Sequence, residues 1–118
     1  MLRNNPVELI GINVSNFETS LIFYRDTLGL EAAWINDEKS TAAFNAGNLY
    51  LLIRENPREA SSGGARIYFT VERIRSMRSR LHDSGVSVSA LINDAQGESF
   101  DFSDPDGNRL GLFEPSKD

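Results

Sequence analysis

Cysteine is absent from the 118 residues of this chain, which also hold only one histidine and one tryptophan. The lack of cysteine excludes disulfides, thiolate nucleophiles and cysteine-ligated metals. No apolar run approaches the roughly 20 residues that cross a bilayer, and the first residues contain no signal-peptide stretch, so we expect a cytoplasmic protein without a membrane partner. Acidic residues (17) outnumber basic ones (12), and the resulting net charge of −5 disfavours a nucleic-acid partner.

The usual catalytic constellations are also missing. His82 is the only imidazole and lies in an arginine-rich helical segment, so no Ser–His–Asp set is credible. Residues 61–64 are rich in Ser and Gly but lack the Lys of a phosphate-binding loop. We therefore predict no catalytic residues and no cofactor.

An internal repeat is present instead. L-I-G-I-N-V in the first half corresponds to R-I-Y-F-T-V in the second, and each is followed by a helical pattern that ends at a glycine, Gly29 or Gly85. Asn16 is the predicted N-cap of the first helix. The predicted buried stripes are Phe17, Leu21, Tyr24 and Leu28 in the first helix and Ile74, Met77 and Leu81 in the second.

The remaining segments alternate as strands do. Strands are predicted at residues 30–36, 41–46, 48–54, 86–92, 98–103 and 109–114, with a hairpin turn at Gly47 and a second turn at D-P-D-G-N. Each half thus reads strand, helix and three strands, which indicates an α+β fold with helices on one side of a largely antiparallel sheet. The chain is predicted to be one domain of two modules, at about 7–54 and 66–115, with a connector at about 55–65.

Two motifs resemble the vicinal-oxygen-chelate superfamily of glyoxalases, extradiol dioxygenases and bleomycin-resistance proteins. They are V-S-N-F-E-T-S-L-I-F-Y-R-D-T-L-G-L-E at 14–31 and F-S-D-P-D-G-N-R-L-G-L-F-E-P at 102–115. The resemblance implies two βαβββ modules that form a U-shaped, mostly antiparallel eight-stranded sheet with helices on its outer face. It also implies a homodimer.

The resemblance further implies where the family's enzymes hold a divalent metal. In this sequence the four positions carry Leu9, Leu51 or Leu52, Arg66 and Gly111, and Glu55 lies beyond the second of them. Leucine and glycine side chains have no lone pair to donate, and arginine is a permanent cation. Glu8 and Glu114 lie an odd number of residues from Leu9 and Gly111, so strand alternation turns them to the other face. We therefore predict no metal ligands.

Strand alternation predicts a cavity face that combines aromatic rings with a few polar groups. Such a lining suits a small organic ligand that stacks on the rings. Trp34, Phe100 and Phe102 are added to this face, although they would equally serve as core residues. The predicted ligand-binding residues are Asn13, Trp34, Tyr50, Arg54, Arg66, Tyr68, Phe100, Phe102, Arg109 and Phe113.

Arg66 occupies the place of a metal ligand, so a fixed positive charge would replace the ion. One hypothesis is that its guanidinium binds an anionic group of the ligand. The alternative is a structural ion pair with a nearby acid, Glu8 or Asp101, or a position at a solvent-facing strand end.

The sequence therefore predicts a metal-free protein that binds a small organic ligand, and its resemblance to the bleomycin-resistance branch implies sequestration of a drug or metabolite, as in antibiotic resistance. One alternative is a metal-dependent lyase, isomerase or dioxygenase of the same superfamily. The other is a dimeric interaction module whose pocket is vestigial.

Overall fold

The structure is a computed structural model that describes residues 1–61 and 64–117. Ser62 and Gly63, which belong to the predicted connector, lie outside the described residues. The chain divides into two compact units, Met1–Ala60 (unit 1) and Ser61–Asp118 (unit 2). The described residues form eight strands in two four-stranded sheets together with two α-helices, which confirms the α+β class. Neither of these helices has the length and apolarity required to span a bilayer.

Unit 1 contains one strand, one helix and three further strands. These are β1 (Leu9–Val14), α1 (Phe17–Ile22) with a π-helical continuation (Phe23–Thr27), β2 (Ala32–Asn36), β3 (Thr41–Ala46) and β4 (Leu49–Glu55). The sheet order is β1-β4-β3-β2. Only β1 and β4 run parallel among these pairs, so the sheet is mostly antiparallel, as the sequence predicts.

Unit 2 repeats this arrangement. Its elements are β5 (Ile67–Thr70), α2 (Ile74–Asp83), β6 (Ile92–Asp94), β7 (Gly97–Ser103) and β8 (Arg109–Pro115). The sheet order β5-β8-β7-β6 corresponds strand for strand to that of unit 1, with β5 and β8 parallel. The internal repeat read from the sequence is therefore a structural repeat.

The N-terminus of each helix is capped by a glutamate from the last strand of its unit. Glu55 Oε1 accepts the backbone N–H of Phe17 at 2.9 Å, and Glu114 Oε1 accepts that of Ile74 at 3.1 Å. These carboxylates satisfy N–H groups that have no partner within the helix, and their charge is favourable at the positive end of the helix dipole. Asn16 is the N-cap predicted for α1, since its Oδ1 accepts the N–H of Thr19 at 3.0 Å.

The helix side of each sheet carries the core. Tyr24 is fully buried there, and its ring lies 6.0 Å from the ring of Phe44 in β3. The alternate residues of β1, β4 and β8 follow the predicted facing, whereas those of β7 do not. The residues buried on this side are Ile12, Val14, Phe44, Leu51 and Ile53 in unit 1 and Phe100, Phe102, Leu110 and Leu112 in unit 2.

Two predictions about unit 2 were wrong. Met77 is 36% exposed rather than buried, whereas the next residue, Arg78, is partly buried and its Nε donates to the carbonyl of Ser89 at 2.8 Å. Of the strand predicted at 86–92, only Ile92 is in a strand. The segment before it is tied to β7 by Ser89, whose N–H donates to the carbonyl of Asp101 and whose Oγ accepts the Asp101 N–H, instead of a continuous ladder.

The D-P-D-G-N segment forms the predicted turn between β7 and β8. Asp104 is 5% exposed, and its Oδ1 accepts the backbone N–H groups of Asp106 and Asn108 at 2.9 and 2.8 Å. Gly107 has a φ of 85°, a conformation that favours glycine. The turn is thus held by its own aspartate and sets the register of the two strands.

Candidate functional site

The side of each sheet that points away from the helix of its unit, called the far face below, carries most of the predicted site residues. In unit 1 the register aligns Leu9 with Tyr50, and Asn13 with Arg54, on this face. A β-bulge in β2 brings Trp34 opposite Ala43 and hence onto the same face. The predicted facing of these residues agrees with the structure.

Large apolar side chains remain open to solvent on the far face of unit 1. Leu9 is 52%, Trp34 49% and Tyr50 41% exposed. Small residues separate them. Ala43 lies between Trp34 of β2 and Leu52 of β4, and the space above Gly11 is open, since a Cβ added there would meet no atom within 4 Å. Exposed aromatic rings beside these small residues form a surface on which a flat molecule can stack.

A charged cluster lies on the far face of unit 2. The Tyr68 hydroxyl donates to Asp101 Oδ1 at 2.9 Å, and Arg66 Nε lies 3.7 Å from the same oxygen. An Arg66 terminal nitrogen donates to the carbonyls of Leu110 at 2.7 Å and Phe102 at 3.3 Å. The structure therefore contains the Arg66–Asp101 pair that was the alternative to ligand binding. Because these contacts already satisfy much of the guanidinium, Arg66 is a weakened candidate for an anion anchor.

Gly111 lies under the ring of Tyr68. Tyr68 and Gly111 are partners in the parallel register, and a Cβ built on Gly111 would meet ring atoms Cε1 and Cδ1 of Tyr68 and, at 3.0 Å, the carbonyl oxygen of Phe100. The glycine is thus required by the close approach of an aromatic ring. The same approach leaves no space for a longer residue at this position.

The positions that the family resemblance assigns to a metal do not fit a divalent ion in this chain. Leu9, Leu52 and Gly111 offer no donor atom, and Arg66 is bound to Asp101 and to carbonyls. Glu55 and Glu114 cap helices on the opposite side of their sheets. Among residues 1–61 and 64–117, no group of three or more His, Asp or Glu side chains is placed to share an ion.

Phe100 and Phe102 require a correction as predicted site residues. They are 0% and 3% exposed, and they pair with Leu112 and Leu110 on the helix side of the sheet. Asp101 between them faces the far side instead. Two phenylalanines at alternate positions mark a buried strand face, and the sequence left open which face this is. A site on the far face would not include them.

The other predicted residues fall into two groups, one in each unit. Asn13, Trp34, Tyr50 and Arg54 share the far face of unit 1. Tyr68, Arg109 and Phe113 share the far face of unit 2, and Arg66 immediately precedes β5. Asp101 was considered only as a partner of Arg66 and was not selected for the site. Its position between Phe100 and Phe102 indicates that it faces the other side of the strand from them. Its alignment with Tyr68 across β8, however, depends on strand pairing, which the sequence does not show.

Tyr68 should titrate above an ordinary tyrosine. The loss of water around its hydroxyl, followed by the hydrogen bond and the charge of Asp101, raises its pKa from the usual 10.0. Because the folded pKa is the higher one, the stabilisation from this phenol is present at neutral pH and is lost as the pH rises through the raised pKa. We expect the difference in absorbance titration between the wild type and Tyr68→Phe to show a transition above pH 10. A transition at or below pH 10 would contradict the Tyr68–Asp101 bond.

Comparison with known families gives a match over most of the chain. The model of the Glyoxalase/Bleomycin resistance protein/Dioxygenase superfamily matches residues 7–112. A relative from Bacillus subtilis (strain 168), described as uncharacterized protein YraH, is 30% identical over 120 aligned positions, which cover 88% of this chain and 94% of the relative. The family-model match contains the whole first motif and the second motif as far as Leu112.

Solved structures share the fold. TnmS3, an antibiotic binding protein from Streptomyces sp. CB03234, is 25% identical, with a TM-score of 0.84 and coverage of 98% of this chain and 100% of TnmS3. A lactoylglutathione lyase from Agrobacterium tumefaciens is 19% identical, with a TM-score of 0.77 and 95% of each chain covered. The likeness to the lyase, at this identity, shows the fold alone.

Proposed function

The chain belongs to the Glyoxalase/Bleomycin resistance protein/Dioxygenase superfamily, and we propose that it binds a small organic molecule without a metal ion and holds it without making or breaking a bond. The observation that carries this proposal is the far face of unit 1, where Leu9, Trp34 and Tyr50 are half exposed around small residues. The antibiotic binding protein TnmS3, whose whole length matches this chain, supports a ligand of the drug or metabolite class.

The chemistry of the face favours a flat aromatic ligand. Trp34 and Tyr50 offer large rings whose stacking contributes about 0.5 to 1.5 kcal/mol beyond the burial of apolar area. Asn13 and Arg54 add polar groups at one end of the face, and few polar groups are enough to orient a ligand. The homodimer implied by the family resemblance remains part of this proposal.

The donor-poor metal positions support binding over metal-dependent catalysis. A lyase, isomerase or dioxygenase of this family would need several oxygen or nitrogen donors that converge on one ion. Here three of the four positions are leucine or glycine, and Asp101, the far-face acid opposite Gly111, is shared by Arg66 and Tyr68. We therefore derive no reaction step through a metal.

The only tryptophan of the chain allows a direct test, because its single indole N–H signal reports on the proposed face. Titration of ¹⁵N-labelled protein with indole-3-carboxamide, a flat neutral probe, should shift that signal saturably. The expected dissociation constant is about a millimolar, from roughly 0.3 kcal/mol per ligand atom. Tyr50→Ala should weaken binding about fivefold through the loss of stacking.

Ile22→Ala provides the control for this titration, because Ile22 is 52% exposed on α1, away from the far face. Its affinity for the probe should equal that of the wild type. An indole signal that does not respond to the probe would remove the proposal. So would one equivalent of nickel, zinc or manganese held by protein side chains after purification without chelator.

A further inference from the structure

All four strands of unit 1 lie within the residues that the structure describes. Of the side chains that they place on the far face, only that of Arg54 is charged. The other residues of that face are polar or apolar, and they form rows across the four strands. One row contains Asn36, Thr41, Arg54 and Asn13, and the next contains Trp34, Ala43, Leu52 and Gly11. A polar row therefore borders an apolar row that begins with an exposed indole.

The charge of Arg54 is not neutralised within the described residues. Its neighbour Glu55 faces the helix side, where it caps α1, and no carboxylate of the described chain lies within 4 Å of the Arg54 guanidinium. Arg66, in contrast, is paired with Asp101 and donates to two carbonyls. Of the two arginines, Arg54 keeps its hydrogen-bond donors free, on a protein whose net charge is −5.

The neighbours of Arg54 suit an oxyanion. Thr41 lies opposite Arg54 in the antiparallel register, and Asn13 lies opposite it in the parallel one, so a hydroxyl and an amide flank the guanidinium. Guanidinium groups bind carboxylates through two parallel hydrogen bonds. Strand spacing and rise place the Cα of Arg54 about 12 Å from that of Trp34. The two long side chains can span this distance together. A flat acid can therefore stack on the indole and meet Arg54 with its charged end.

We infer that the ligand of unit 1 is an aromatic anion, whose ring lies on Trp34 and Ala43 and whose carboxylate or similar oxyanion binds Arg54. This inference rests on the proposed function and adds the charge of the ligand to it. It moves the role of anion anchor from Arg66 to Arg54, because only the latter has an uncompensated charge beside an open aromatic ring.

The test compares indole-3-carboxylate with indole-3-carboxamide, two probes of one shape that differ in charge. Wild-type protein should bind the carboxylate about fivefold more tightly, as expected for an exposed ion pair worth about 1 kcal/mol. Arg54→Gln should abolish this preference, because it should weaken binding of the carboxylate more than binding of the carboxamide. Because the pair is exposed, the preference should also decline as salt is added.

Arg58→Gln is the matched control, because it removes the same charge from an exposed turn of unit 1 outside the strands. It should keep the full preference for the carboxylate. Equal binding of the two probes by the wild type would overturn this inference and leave the proposed function standing. Loss of the preference in Arg66→Gln or Arg109→Gln but not in Arg54→Gln would also overturn it. Binding of neither probe would overturn the inference and the proposed function together.

Discussion

Phe100→Ala is expected to destabilise the protein by about 3 to 5 kcal/mol. Phe100 is fully buried, it pairs with Leu112 in β8, and its ring lies 6.0 Å from that of Phe102. Removal of the ring takes away its apolar burial and leaves a cavity that the sheet and α2 can fill only in part. Since a domain of this size is stable by only about 5 to 15 kcal/mol, urea denaturation should show a midpoint far below that of the wild type.

Phe113→Ala is the matched control for this prediction. Phe113 lies in the neighbouring strand but on the far face, where its side chain is only half buried. The same truncation should therefore cost only about 1 kcal/mol. If both variants were equally stable, Phe100 would be a surface residue, as expected of a ligand-binding position, and our description of the core of unit 2 would be wrong.

Gly111→Ala is expected to destabilise the protein by about 1 to 3 kcal/mol, the usual range for overpacking. The new methyl would meet the ring of Tyr68 and the carbonyl oxygen of Phe100. The ring cannot move away freely, because its hydroxyl is bonded to Asp101. The expected result is a lower unfolding midpoint in urea, with the slope of the transition unchanged.

A double-mutant cycle separates the steric cause from a general effect of the mutation. Tyr68→Ala removes the ring that the methyl meets, so Gly111→Ala should cost less in that background than in the wild type. Gly11→Ala is the control in unit 1, where an added Cβ meets nothing within 4 Å and the free energy of unfolding should hardly change. Additive effects of Gly111→Ala and Tyr68→Ala would show that the ring does not occupy this place.

The Gly111 result bears on function because this position is where the family resemblance expects a metal-binding glutamate. A residue that is excluded by packing cannot be restored by one substitution, since a glutamate at 111 would have to displace Tyr68 and would lie beside Asp101. A glutamate at 111 is therefore incompatible with the ring of Tyr68, and the two residues would have to change together.

Local signals in the sequence predicted much of the fold. The helix start at Asn16, the left-handed glycines Gly29 and Gly85, and the D-P-D-G-N turn are each governed by residues close in sequence. Strand alternation likewise separated the buried faces of β1, β4 and β8 from the open ones, but it did not decide the facing of β7. The strand prediction for 86–92 was wrong except at Ile92. The valines of this segment favour a strand, but Ser89 forms hydrogen bonds with Asp101 that interrupt the ladder.

The sequence by itself determined the repeat, the α+β class and the absence of donor atoms at the expected metal positions, because these follow from residue identity and short-range periodicity. Only the tertiary structure decided which groups meet. It brought Asp101 between Arg66 and Tyr68, turned Glu55 and Glu114 to the helix starts, and left Arg54 without a carboxylate. These outcomes depend on which strands pair and in which register, and contacts between residues some 30 to 40 positions apart leave no local trace in the chain.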